Sequence, residues 1–152
     1  MAFPSSWEAF KQKVRDNFPS VRQLSTFELN NMLRAGQTDI VLLDVREKEE
    51  FDISHLPGAV WFPPGSDPQK LQIPKSKRVV CYCSVGWRSS EMAEFLEEAG
   101  FQDVYNLEGS IFEWANQGRK VVNAQGRSRK VHPYDSSWGR FLQERFRWDL
   151  DS

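Results

Sequence analysis

Short apolar runs alternate with helical patterns along this chain, and that alternation restricts the architecture more than any other feature. The runs cover residues 40–43, 59–62, 79–82 and 104–105, each bounded by turn residues. Their continuous apolar character predicts strands of a parallel sheet covered on both faces. Four stretches read as helices. In the first, Ser5 and Glu8 form a capping-box pattern, and Trp7, Phe10, Val14 and Phe18 share a face until Pro19 stops it. The second repeats the device with Ser25 and Glu28, carries Phe27, Leu29, Met32 and Leu33, and ends at Gly36. A third spans about 89–100 with Met92, Ala93, Phe95 and Leu96 inward, and a fourth spans about 110–116 with Ile111, Phe112 and Trp114. Strand alternating with helix predicts an α/β domain with right-handed crossovers.

The remaining segments are less regular. Residues 63–77, rich in proline and charge, read as a surface loop, and 123–130 as a polar linker. Beyond it Trp138, Phe141, Leu142 and Phe146 recur at helical spacing, which predicts a tail helix with an apolar side, too short to fold alone.

Composition narrows the function. A length of 152 residues with 39% hydrophobic and 27% charged residues describes one globular domain. The formal net charge of −1 gives no general attraction to nucleic acid or anionic membranes. No run approaches the ~18 apolar residues of a membrane span. The start MAFPSSWEAF lacks a basic region followed by an apolar stretch, so no secretory signal is expected. Two cysteines, Cys81 and Cys83, make no disulfide framework and fit a reducing compartment, with the cytoplasm as the expected location.

The chemistry is concentrated in VVCYCSVGWRSSEMAEFLEEAG. An apolar strand delivers Cys83 to a tight loop, Ser84-Val85-Gly86-Trp87-Arg88, and a helix follows at once. In an open α/β sheet such a turn lies at the carboxyl edge, where ligands bind. Gly86 lets the loop curl so that successive N–H groups point inward, and the helix N-terminus adds to the same field. Both features favour a thiolate over a thiol, so Cys83 is the candidate nucleophile. Free cysteine is often a small buried hydrophobe. The loop-mouth position of Cys83 argues against that reading, whereas Cys81, inside the strand, fits it. A lone C-x-C makes no zinc site, and no metal or cofactor is expected.

Several segments together resemble the rhodanese (thiosulfate sulfurtransferase) family. Asp44-Val45-Arg46 with Glu50-Phe51 is similar to its D-x-R-x-x-x-E-[FY] segment, and His55-Leu56-Pro57-Gly58-Ala59 to its H-[IL]-P-G-A segment. Tyr82 to Ser89 matches its Y-C-x-x-G-x-R-S loop, Ala93, Leu96, Ala99, Gly100 and Phe101 continue the pattern, and Val104 to Trp114 resembles its closing N-L-x-G-G-[IL]-x-x-W segment. Ser110 stands where the family usually has a second glycine.

The resemblance implies a rhodanese-like domain over 20–122, a central parallel sheet with helices on both faces. An N-terminal helix (1–19) packs on it, and a linker with a C-terminal helical extension follows (123–152). It implies that Cys83 takes sulfane sulfur from a donor such as thiosulfate or a persulfide and passes it to a thiol, cyanide or protein acceptor. The loop Ser84, Val85, Gly86, Trp87, Arg88 and Ser89 would supply the cradle. Arg88 can hold an anionic donor or brace the loop by bonding carbonyls, and Trp87 is placed to narrow the entrance. Arg46 and Glu50 are spaced for a salt bridge, with the substrate mouth as a second role for Arg46. Asp44 is expected to bond nearby backbone or His55, and His55 to brace its turn. The alternatives are a partner-dependent sulfur carrier or binding module with little activity on thiosulfate, and a cysteine phosphatase or arsenate reductase. The latter enzymes resemble C-x-x-x-x-x-R with five intervening residues, where this chain has four.

Overall fold

The computed structural model describes residues 6–151. Five parallel strands form the central sheet: β1 (Arg22–Leu24), β2 (Ile40–Asp44), β3 (Val60–Trp61), β4 (Arg78–Tyr82) and β5 (Asp103–Leu107), in the spatial order β1-β5-β4-β2-β3. β4 is central, with Val79 paired between Val41 and Val104. Val79, Val80, Cys81 and Tyr82 are all buried, and successive strand residues point to opposite faces, so both faces are covered. The run at 59–62 is different. It contributes only a two-residue edge strand, with Val60 and Trp61 exposed, because β3 has a neighbour on one side alone.

The helices are α1 (Trp7–Asn17), α2 (Thr26–Arg34), α3 (Lys48–Ile53), α4 (Trp87–Glu98), α5 (Ser110–Asn116) and α6 (Ser136–Gly139). Ser6 caps α1, its side chain accepting from the Ala9 N–H, one residue later than the expected Ser5, which lies outside the described residues. The Ser25–Glu28 capping box of α2 is complete in both directions. In α4, Met92, Ala93 and Leu96 are buried while Phe95 is exposed, a correction to the inward face read from the sequence.

The chain after α5 also departs from expectation. Where a linker was expected, β6 (Val121–Asn123) and β7 (Gly126–Ser128) form an antiparallel hairpin, and Val122 exchanges backbone hydrogen bonds with His55. The tail is not one helix but α6 and a 3-10 turn (Glu144–Phe146) with irregular backbone between them. Its apolar side chains still pack inward. Leu142 and Val131 are fully buried, Phe10 meets Trp138 edge-on at 5.0 Å, and Trp7 meets Phe141 at 5.2 Å. Asn116, at the end of α5, donates to the Phe141 carbonyl and accepts from the Gln143 N–H, fastening the tail to the domain.

Candidate active site

Cys83 follows β4 directly and so stands at the carboxyl edge of the central strand. The chain turns through Ser84, Val85 and Gly86 and enters α4 at Trp87. Gly86 adopts φ +111°, which favours glycine, and a Cβ there would lie a tight 3.2 Å from the Asn106 side-chain amide nitrogen. The turn aims the Gly86 N–H at Cys83 Sγ, 3.1 Å away. Ser89, in the first turn of α4, places its hydroxyl 3.3 Å from the same sulfur and also bonds Asn106 Oδ1.

These contacts set the ionisation of the thiol. Burial is the largest influence and pushes it up. The Arg88 charge, the Ser89 hydroxyl and N–H, and the Gly86 N–H together outweigh burial and hold Cys83 below its ordinary value. Among the described residues no such donor reaches Cys81. Burial, reinforced by the nearby Cys83, pushes its thiol far up, and it is a core side chain.

The loop is braced from outside. Arg88 Nη1 and Nη2 donate to the two carboxylate oxygens of Glu50 at 2.9 and 3.0 Å, and Nη2 also donates to Ser84 Oγ at 3.0 Å. Ser84 Oγ in turn donates to Glu50 Oε1. Glu50 is buried, and although burial pushes its carboxyl up, Arg88 together with the Glu47 N–H and the Arg46 charge outweighs it and holds the group below the usual glutamate range. Arg88 thus braces the loop, through a carboxylate and a hydroxyl rather than through carbonyls.

That arrangement corrects the reading of Arg46. Its expected partner Glu50 is taken by Arg88, and Arg46 instead pairs with Asp44, Nη2 to Oδ2 at 2.7 Å and Nε to Oδ1 at 2.9 Å, and donates to the Ser54 carbonyl. The side chain is 0% exposed, so it lines no substrate mouth. Asp44 bonds the Arg46 N–H and the Tyr82 hydroxyl, not His55. His55 stacks on Phe51 at 4.0 Å, and its Nδ1 lies 2.9 Å from the Leu56 carbonyl.

Ser110, the departure from the family pattern, sits at φ +50° and compensates chemically. Its hydroxyl accepts from the Cys83 N–H at 3.2 Å and donates to the Leu107 carbonyl at 2.9 Å. A cavity of about 160 Å³ lies over the thiol, lined by Cys83, Ser84, Val85, Trp87, Arg88, Tyr134 and Trp138. Trp87 is held there edge-on against Phe18 at 4.9 Å. Among the described residues no group of histidine, cysteine and carboxylate side chains could hold a metal ion, and no helix is long and apolar enough to cross a membrane.

The family model for the rhodanese-like domain matches residues 25–117, most of the chain and all of the loop. The chain belongs to the rhodanese-like domain family. The sulfurtransferase of Allochromatium vinosum is 33% identical over 107 residues, which cover 70% of this chain and 99% of that protein. The probable adenylyltransferase/sulfurtransferase MoeZ of Mycobacterium tuberculosis is 34% identical over 117 residues. There the match covers 73% of this chain but only 30% of the larger protein. The solution structure of the rhodanese-like domain of the Anabaena Alr3790 protein superposes with a TM-score of 0.62 at 25% identity, over 66% of this chain and 78% of that one.

Sequence reasoning named the loop residues that the structure gathers around Cys83, but it missed four others. Glu50 was visible as a spaced acid and assigned the wrong cation. Asn106 stood at the head of the N-L-x-G-G-like segment, but nothing marked it as the partner of Ser89. Tyr134 and Trp138 were legible as apolar tail residues, but only the tertiary path of the tail brings them to the cavity.

Proposed function

We propose that this rhodanese-like chain is a sulfurtransferase that carries sulfane sulfur as a persulfide on Cys83. The observation that supports it best is the Cys83 sulfur itself, at the end of the central strand with the Gly86 N–H and the Ser89 hydroxyl aimed at it and a cavity above. The thiolate attacks the outer sulfur of thiosulfate or of a persulfide. A new S–S bond forms, the old bond to sulfur breaks, and its electron pair leaves with sulfite or with the donor thiolate. The terminal persulfide sulfur carries the negative charge, which inward N–H groups stabilise where it develops. A thiol, cyanide or protein thiolate then attacks that sulfur, and the Cys83 thiolate departs to begin another cycle. Ser84, Val85, Trp87 and Arg88 wall the site, Arg88 through the position it gives the loop. The two free thiols suit a reducing compartment, and we place the protein in the cytoplasm.

Mass spectrometry after thiosulfate treatment tests this. The expected result is a gain of one sulfur, removed by cyanide or dithiothreitol, absent in Cys83→Ser and kept in Cys81→Ser. A gain that survives Cys83→Ser and disappears in Cys81→Ser would overturn the assignment.

A further inference from the structure

Two walls of the cavity over Cys83 come from beyond the rhodanese-like match, which ends at residue 117. Tyr134 and Trp138 belong to the tail, and each is held in place. Asp135 caps α6 by accepting from the Trp138 N–H at 2.8 Å, and Phe10 from α1 backs the indole. Tyr134 adopts φ +70°, a left-handed conformation that a tyrosine rarely takes. The Tyr134 N–H donates to His132 Nδ1 at 2.9 Å, and its ring lies over the Arg88 guanidinium, 4.9 Å from the centroid. The backbone is therefore strained at the residue whose ring reaches the mouth of the site.

The chemistry of this mouth is aromatic. Trp87, Tyr134 and Trp138 present ring surface, and the cation among them, Arg88, already has its charge matched by Glu50. An inorganic dianion finds no uncommitted guanidinium there, whereas an apolar group finds three rings to pack on. Size agrees: a cavity of about 150 Å³ holds benzene, and this one is about 160 Å³. Cys83 is buried and Tyr134 is half exposed, so a donor that offers its transferable sulfur inward directs its remaining substituent toward the tail.

We propose that Tyr134 and Trp138 are specificity-determining residues that select sulfane donors bearing a flat apolar organic group of about phenyl size. The proposal rests on the sulfurtransferase reading above. With an organic thiosulfonate the Cys83 thiolate attacks the terminal sulfur and forms the persulfide. The bond between that sulfur and the sulfonyl sulfur breaks, and its electron pair leaves as the sulfinate, with charge and atoms conserved.

The test compares benzenethiosulfonate with methanethiosulfonate, which share a reacting group and differ in the organic one. Cyanide is the acceptor, and each donor is normalised to its rate with free cysteine. The full chain should favour the phenyl donor in kcat/KM by about tenfold or more. Tyr134→Ala should cut that preference about two- to tenfold, chiefly through KM, and Tyr134→Phe should keep it. Tyr134→Gly, which removes the ring and accepts the left-handed backbone, should lose the preference as the alanine variant does. Equal normalised values for the two donors in the unaltered protein, or an undiminished preference in folded Tyr134→Gly, would overturn the proposal. Persulfide on Cys83 from both donors alongside those results would leave the sulfurtransferase reading standing. No persulfide from either donor would remove both.

Discussion

Ser89 has one hydroxyl proton and two acceptors within reach, the Cys83 sulfur and Asn106 Oδ1. The neutral amide oxygen of Asn106, an acceptor at 2.5 Å, shares that proton with the sulfur at 3.3 Å. A carboxylate at 106 would claim it and add a negative charge near the sulfur. Asn106→Asp should therefore raise the midpoint of iodoacetamide alkylation against pH, and Ser89→Ala should raise it as well, since Ser89 donates to the sulfur. An unchanged midpoint in both would mean that Arg88 and the Gly86 and Ser89 N–H groups set the ionisation without the hydroxyl. The loop sequence made Cys83 and its N–H donors legible, because a strand–glycine loop–helix order dictates where backbone groups point. It could not show which carboxylate each arginine takes. Arg46 and Arg88 are both within chain reach of acids, and the choice follows from Asp44 ending β2 beside Tyr82 while Glu50 faces the loop from α3.

α3 and the active-site loop are joined by the Glu50–Arg88 pair, with Ser84 as a third member. Removing one side of such a buried pair leaves the other uncompensated, and Glu50→Gln should cost about 3 kcal/mol, the low end for a buried pair because Arg88 is 24% exposed. The pH dependence follows from the direction of the Glu50 shift. Its carboxyl titrates lower in the folded chain than its ordinary value of 4.5. The stabilisation is thus fully present above that value and is lost as pH falls through the lower folded one. Melting temperatures of the two proteins should differ at neutral pH and converge in acid, and a constant gap across that range would contradict the assignment. Elements were read well where the pattern was local. The α2 capping box and the bounds of α5 needed only neighbouring residues. β1, α3 and the β6–β7 hairpin went unread, the strands because at three residues each they carry too short a pattern. The tail misled because Trp138, Phe141, Leu142 and Phe146 face the domain through an irregular path that only resembles helical spacing.

Across the whole molecule, the two ends of the described chain meet. α1 and the tail share an aromatic cluster, and Val131 and Leu142 add buried surface to the core. Burying each large apolar side chain contributes roughly 1.5–3 kcal/mol, so truncation after Lys130 should cost on the order of 5 kcal/mol or more. Against a typical domain stability of about 5–15 kcal/mol, the truncated chain should melt far lower or aggregate. Equal thermal stability would show that the tail is dispensable to the fold. The short Cys83–Arg88 spacing also carries a prediction for the intact molecule. A ring of N–H donors sized for one sulfur should give no vanadate-sensitive hydrolysis of p-nitrophenyl phosphate, and robust turnover lost in Cys83→Ser would point to phosphoryl chemistry instead.

The position of Tyr134 and Trp138 so late in the chain has a consequence in time. When α5 leaves the ribosome all five strands of the sheet already exist, and with them the loop that activates Cys83. Residues 117–138 must still emerge from the exit tunnel, which takes roughly one to four seconds at the pace of synthesis, about 5–20 residues per second. During that interval the nascent chain carries the Cys83 thiol at a mouth that still lacks two of its aromatic walls, Tyr134 and Trp138.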